Sequence, residues 1–314
     1  MRYESPITAA LALMLLALAC TGSTGPGESA SWPVTPSGSV DLGAPASDIA
    51  FLGETGDLVA AAGSDLCFID GSLSYLLARV PVSVVLAEVA STSDGGYALA
   101  AGGSIVYRVS NQTYLLQDSL QLPGMVEELV VHDYAGEVWV LLEGGDVLTV
   151  DIGTMAAIDT CSPGQFETAC GLYLADVPAV YRGGAGIQLL GVPGLSVTRE
   201  ADLPAPAEDL AGRGDCVYAA MGTGGLRALS SWTLATVRDY GLPSCRAVDV
   251  IGGSGALMAS TLTGVSVLGC DTGDELARYA AGSPALLVSA AGDGSRAAAV
   301  FESAPSVAVV LGTR

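Results

Sequence analysis

Five acidic residues, Asp48, Glu88, Glu128, Asp209 and Asp249, stand at one place in a unit that recurs about every forty residues, each just before a short apolar run. Glu127, Glu167 and Glu208 lie beside that place or one residue from it. If the units are set around an axis, these carboxylates ring the mouth of a central channel. There they focus negative potential and present the oxygen ligands that Ca²⁺ prefers. In the other use, each carboxylate accepts hydrogen bonds from backbone N–H groups of its own turn and only fastens its unit. Both uses stay open at the level of sequence. Carboxylate pairs also serve acid–base chemistry such as glycoside hydrolysis, which depends on a separation that only a structure supplies.

Other chemistries find little material. His132 is the sole histidine and follows an inner apolar run, where a satisfied turn or core histidine is expected rather than a general base, and a multi-histidine metal site is excluded. The chain has no lysine, so neither a Schiff base nor a P-loop exists, and the Gly-rich pieces 183–186 and 222–225 read as hairpin turns. The expectation is no catalytic set. Tyr75, Tyr107, Tyr114, Trp139, Tyr181, Trp232 and Tyr240 could anchor a partner, though filling the wedges between units is the default for most of them.

The elements that must position these residues are short strands. Pro45, Pro81, Pro123, Pro163, Pro204, Pro243 and Pro284 mark the joints between units, since proline cannot donate to a strand ladder. After each joint comes an apolar run, among them Ile49–Leu52, Val89–Ala90 and Leu210–Ala211, and then a Gly or Asp turn. A second strand, a glycine turn and a third strand follow, as in Cys216–Ala220, Gly224-Gly225 and Leu226–Leu229. A fourth strand closes every unit except the last, which would leave a raw edge. Residues 34–42 match the fourth strands elsewhere and can fill that place.

These patterns predict an all-β fold: a seven-bladed β-propeller of four-stranded antiparallel blades, its ring closed by an N-terminal strand joining the C-terminal blade. The blades fall at about 46–82, 83–124, 125–164, 165–205, 206–244, 245–283, and 284–314 with 32–44. A six- or eight-bladed ring is the weaker alternative. Asp209-Leu210-Ala211, Val217-Tyr218-Ala219-Ala220 and Gly224-Gly225-Leu226-Arg227-Ala228-Leu229 resemble the LVIVD repeat, and Ser289 to Phe301 is similar to the related YVTN type. That resemblance implies a bacterial or archaeal surface or periplasmic propeller.

Ahead of the repeats, Arg2 and the apolar run Ile7–Ala19 read as a secretory signal over residues 1–19, too short to span a bilayer. The run ends in Leu16-Ala17-Leu18-Ala19-Cys20, which resembles the lipobox of bacterial lipoproteins and implies acylation at Cys20. An ordinary secretory signal beside a chance cysteine is the alternative. Thr21 in place of Asp implies, by the same similarity, the outer membrane, facing periplasm or cell surface. Residues 20–31 would be a flexible lipid-attached tether, and 32–314 the propeller. Of the six remaining cysteines, Cys161 and Cys170 are the only pair close in sequence and form the candidate disulfide.

A chain of 314 residues, half of them hydrophobic, has ample material for such a core. Its net charge of −21 disfavours nucleic acid and electrostatic attachment to anionic membrane, leaving the lipid as the membrane contact. The expected function is an exported, lipid-anchored, monomeric module that binds or scaffolds a protein or peptide of the cell envelope, without catalysis and without a cofactor unless the acidic ring holds Ca²⁺. Similarly built eight-bladed lipoproteins serve outer-membrane barrel assembly, one concrete version of that role. The competing class is a carboxylate- or Ca²⁺-dependent envelope enzyme acting on small or glycan substrates at the channel mouth.

Overall fold

The computed structural model describes residues 34–53, 56–72, 75–132, 135–162, 164, 168–174, 177–182, 186–191 and 196–312. The signal, Cys20, the tether, Pro163 and Glu167 lie outside the described residues.

Among the described residues 28 strands form seven four-stranded antiparallel sheets. Strand β1 (Thr35–Asp41) comes first in the chain but belongs to the last sheet. The first sheet holds β2 (Ala46–Leu52), β3 (Asp57–Ala62), β4 (Asp65–Asp70) and β5 (Tyr75–Pro81). The second holds β6 (Glu88–Ser91), β7 (Tyr97–Gly102), β8 (Ile105–Ser110) and β9 (Leu115–Gln121), and the third β10 (Val126–His132), β11 (Glu137–Leu142), β12 (Val147–Asp151) and β13 (Ala156–Cys161). The fourth runs β14 (Ala169–Leu174), β15 (Val177–Arg182), β16 (Gly186–Gly191) and β17 (Ser196–Asp202). The fifth has β18 (Asp209–Arg213), β19 (Cys216–Ala220), β20 (Leu226–Ser230) and β21 (Thr236–Asp239). The sixth has β22 (Val248–Ile251), β23 (Ala256–Thr261), β24 (Gly264–Gly269) and β25 (Glu275–Ala280). The last sheet takes β26 (Ala285–Ala290), β27 (Arg296–Phe301) and β28 (Ala304–Gly312) from the C-terminal side and β1 from the other end, with Thr35 opposite Gly312 and Asp41 opposite Val307.

The core lies between sheets rather than inside any one of them. Phe68, Val59 and Leu66 of the first sheet pack on Val89, Ala98 and Tyr107 of the second. Comparable clusters join each following pair, and Val40, Leu42 and Val300 of the last sheet pack on Ile49, Leu58 and Ile69 of the first. Alanine is frequent in the second strands of the first, second, fifth and last sheets, with Ala60, Ala61, Ala98, Ala100, Ala219 and Ala297 to Ala299 buried, where closely packed sheets leave little room between them.

Each outermost strand carries a β-bulge at one and the same place. The residues skipped in the pairing are Leu77, Gln117, Ile158, Thr198, Val237 and Leu276, and in β1 the corresponding residue is Ser37. A bulge bends an edge strand and strengthens its twist, which keeps an exposed ladder from pairing with another chain. That β1 shares the irregularity marks it as a fourth strand like the others. Arg79 on β5 secures it from the neighbouring sheet by donating to the carbonyls of Leu42 and, at 3.2 Å, Asp41.

The expected Cys161–Cys170 disulfide does not form. Cys161 ends an outermost strand and Cys170 lies on the innermost strand of the next sheet. Three strand spacings, about 14 Å, separate those levels, well beyond disulfide reach.

Candidate functional site

Inner strands β2, β6, β10, β18, β22 and β26, together with Thr168 just ahead of β14, line a cavity of about 500 Å³. Asp48, Glu88, Glu128, Asp209 and Asp249 all face it, joined by Glu127 and Glu208. Their positions are within the first half of each inner strand, not ahead of it. Sequence reasoning missed two members of the set. Thr168 and Ser289 are buried, occupy the same forty-residue spacing, and bond to the acids rather than being acids: the Thr168 hydroxyl donates to Glu128 Oε2 at 3.3 Å, and Ser289 bonds to Asp249.

The acids occupy two levels. In the strand ladders Asp48 stands opposite Ala61, Glu88 opposite Ala101, Glu128 opposite Leu141 and Asp209 opposite Ala220. Asp249 instead faces Met258, two residues further along its strand, as does Ser289 opposite Ala298. Two residues along a strand preserve the facing side and move a group about 6.6 Å down the channel.

Each aspartate ties neighbouring sheets together. Asp48 accepts from Ile49 N in its own strand and from Val89 N in the next sheet, both at 2.8 Å. Asp209 does the same with Leu210 N and Val248 N at 2.8 Å, and Asp249 with Val250 N at 2.7 Å and Ala290 N at 2.8 Å. Inner strands of adjacent sheets share no ladder, so these carboxylates supply hydrogen bonds that the backbone alone cannot make.

The carboxyls are half-buried: each lines the cavity on one side and is packed against protein on the other. Burial pushes Asp48 up to about 7, helped by the charge of Asp249 and opposed by the Val89 and Ile49 N–H groups. Burial raises Asp209 to about 8 and Asp249 to about 6, again against their backbone donors. Glu88 and Glu128 rise well above the usual carboxylate range, first from burial and then from the surrounding carboxylates. Around neutral pH the ring is therefore partly protonated and shares protons, with Glu88 hydrogen-bonded to Asp48. Among the described residues no group of three or more His, Cys, Asp or Glu is arranged to hold a metal ion.

Among the described residues Arg246 is the one cation lining this cavity, and its Nε lies 3.7 Å from Glu208 Oε2. Glu208 reaches that place over Gly222, where a Cβ would fall 2.0 Å from Glu208 Oε1 and where φ is +51°. The positive φ favours glycine there, whereas the flexible Glu208 carboxylate could move aside from a Cβ.

His132 is far from the ring, at the other end of β10. It is buried, stacked on Trp139 with ring centroids 4.6 Å apart, and its Nδ1 is 3.7 Å from Glu137 Oε2. The aromatics divide as the default has it for several members. Tyr107 is buried with its hydroxyl 2.8 Å from Ser83 Oγ, Tyr114 packs on Phe68 across a sheet boundary, and Tyr240 donates to the Cys270 carbonyl of the next sheet at 2.8 Å. Tyr75 and Trp232 remain exposed.

No family model matches the sequence, and no curated protein matches it. The resemblance of Asp209–Leu229 to the LVIVD repeat thus has no family match behind it. Among solved structures the chain is similar to one in the crystal structure of a mitotic checkpoint complex, with a TM-score of 0.75 and 11% sequence identity over 99% of this chain and 97% of that one. Matches number 1721 chains, so many that the likeness speaks for architecture and not for any one activity. Strand order, inter-sheet packing and this similarity lead to one conclusion: the chain is a β-propeller built of four-stranded antiparallel blades.

Proposed function

We propose that the protein is an exported, lipid-anchored propeller of seven blades, closed by its N-terminal strand, that binds or scaffolds a protein partner at the cell envelope as a monomer and without catalysis. The observation that carries this reading is how the acids are used. Asp48, Asp209 and Asp249 spend their oxygens on backbone N–H groups of adjacent blades, which suits a fastener better than a reacting group. The face onto which the channel opens also presents Val85, Met125 and Leu262 from its connections and hairpins, each more than half exposed. Propellers of this build often serve as protein-binding scaffolds, and the similar chain cited above comes from a protein complex.

Export and anchoring rest on the leader and on Cys20. A Cys20→Ala variant should leave the membrane fraction and lose acyl label. Photo-crosslinkers placed at Val85 and Met125 in cells should capture a discrete partner, and one at Trp232 on the opposite face should not. A protein that stays membrane-bound without Cys20, or that crosslinks from neither position, would overturn the reading. The competing enzyme reading draws on Asp209, whose carboxyl stays protonated near neutral pH as a general acid must. A hydrolytic activity lost in Asp209→Asn would favour it.

A further inference from the structure

Pro45, Val85, Met125 and Pro206 each stand three residues ahead of a ring acid, Asp48, Glu88, Glu128 and Asp209 in turn, and all four are exposed. Their place is fixed by the residue that follows: Leu86 N donates to the Gly63 carbonyl at 2.7 Å, and Val126 N to the Gly103 carbonyl at 2.8 Å, in equivalent hairpins of adjacent blades. Repetition of the unit therefore sets an apolar collar around the mouth of the cavity of about 500 Å³. Below the collar, among the described residues, the wall carries seven carboxylates against one cation, Arg246, which Glu208 engages at 3.7 Å. Asp48, Asp209 and Asp249 are fasteners, but Glu88 is not. It lines the cavity, its hydrogen-bond partner is Asp48, another acid, and burial and four surrounding carboxylates push it up. A carboxyl that no N–H group of its own protein holds calls for a donor from outside.

We propose that collar and cavity together dock a protruding loop of a protein partner that carries an arginine between apolar residues, its guanidinium entering the channel mouth and bonding Glu88. The proposal rests on the reading of the chain as a protein-binding module and names the chemistry of what it binds. Apolar residues of the loop cover Val85 and Met125, which sit in successive connections between blades. The guanidinium offers five N–H donors in a fixed fork, which suits carboxylates spread around a wide cavity. A metal ion needs ligands that converge on one point, and among the described residues no such group of three exists. Charge complementarity belongs to the cavity itself: seven acids face an entering cation, and the single resident arginine is already paired. The guanidinium stays charged while the ring acids titrate, so its entry drives out protons that the ring shares.

The test uses the mature protein and capped, dye-labelled peptides in which one arginine stands between leucines, with citrulline and glutamate versions of the same length. Anisotropy should show the arginine peptide binding about tenfold more tightly than the citrulline one, which keeps the shape and lacks the charge. Glu88→Gln should weaken arginine binding about tenfold, and Val85→Ser several-fold. Neither variant should melt below the parent, which separates lost binding from lost folding. Affinity should rise between about pH 6 and about pH 8.5, with protons released on binding, since Asp48, Asp209 and Asp249 titrate in that range. The Cys170 and Cys245 thiols beside Asp209 stay protonated there, and Arg246 stays charged. Equal affinity for the citrulline peptide, or an affinity that falls as pH rises, overturns the proposal. So does undiminished binding in Glu88→Gln with the loss confined to Val85→Ser, which would leave an apolar surface with no use for the channel. If the crosslinks from Val85 and Met125 persist while the arginine peptide fails to bind, docking in the channel is wrong and the scaffold reading stands; if the crosslinks are missing too, both fall.

Discussion

Asp48 reaches out of its own sheet to take a hydrogen bond from the backbone N–H of Val89, 2.8 Å away on the inner strand of the next blade. The same link recurs from Asp209 to Val248 and from Asp249 to Ala290, so residues chosen from sequence as site candidates are also part of the frame.

That double duty makes stability depend on pH. Asp48, Asp209 and Asp249 hold their protons more tightly folded than unfolded, at about 7, about 8 and about 6 against a reference of 3.8. The folded state therefore binds more protons between the two sets of values, and stability falls as pH rises. It is greatest below about pH 4 as far as these groups go, and the contribution is lost by about pH 8. A melting temperature several degrees higher at pH 5 than at pH 8.5 is expected by calorimetry.

Asp209→Ala separates the bond from the charge. At pH 5 the variant leaves Val248 N and Leu210 N without their acceptor and should lose about 1–3 kcal/mol in urea melts. At pH 9 the parent carries the cost of a buried ionised carboxylate, and the deficit of the variant should shrink. A constant deficit across that range would mean that Asp209 does not titrate in the ring.

Where the blades converge at the opposite face, backbones touch. A Cβ on Gly252 would lie 1.8 Å from the Gly292 carbonyl oxygen of the next blade. Gly252→Ala must push the sixth and seventh blades apart and should cost about 2–4 kcal/mol, measured by chemical denaturation.

Thiol reactivity reports on the same boundaries. Cys67 is fully buried between the last and first blades, and Cys245 between the fifth and sixth. Burial raises both thiols, Cys245 to about 12, so neither should be alkylated at pH 8 in the native state. Deleting residues 34–42 should make Cys67 label quickly while Cys245 stays protected, as followed by mass spectrometry. Peptide mapping should also find no Cys161–Cys170 bridge.

The strands were legible because their punctuation is chemical. Glycines such as Gly63 and Gly145 adopt positive φ in the hairpins, and prolines such as Pro123 and Pro284 fall in the connections between sheets. The ring was only partly legible. A search for charge passes over Thr168 and Ser289, although they keep the spacing, and a side-chain period of two hides the shift of Asp249 to a deeper level. The bulges left no trace at all: Leu77, Gln117, Thr198 and Ser37 share no side-chain property, since the geometry of the ladder rather than the residue selects them.

Because one sheet is assembled from residues 35–41 and 307–312, a nascent chain emerging vectorially cannot complete that sheet until its final strands arrive. Joining ends some 270 residues apart costs about 5 kcal/mol of chain entropy if nothing in between is ordered. If the six sheets between them fold in turn and hold those ends close, the last step is the zipping of a single strand.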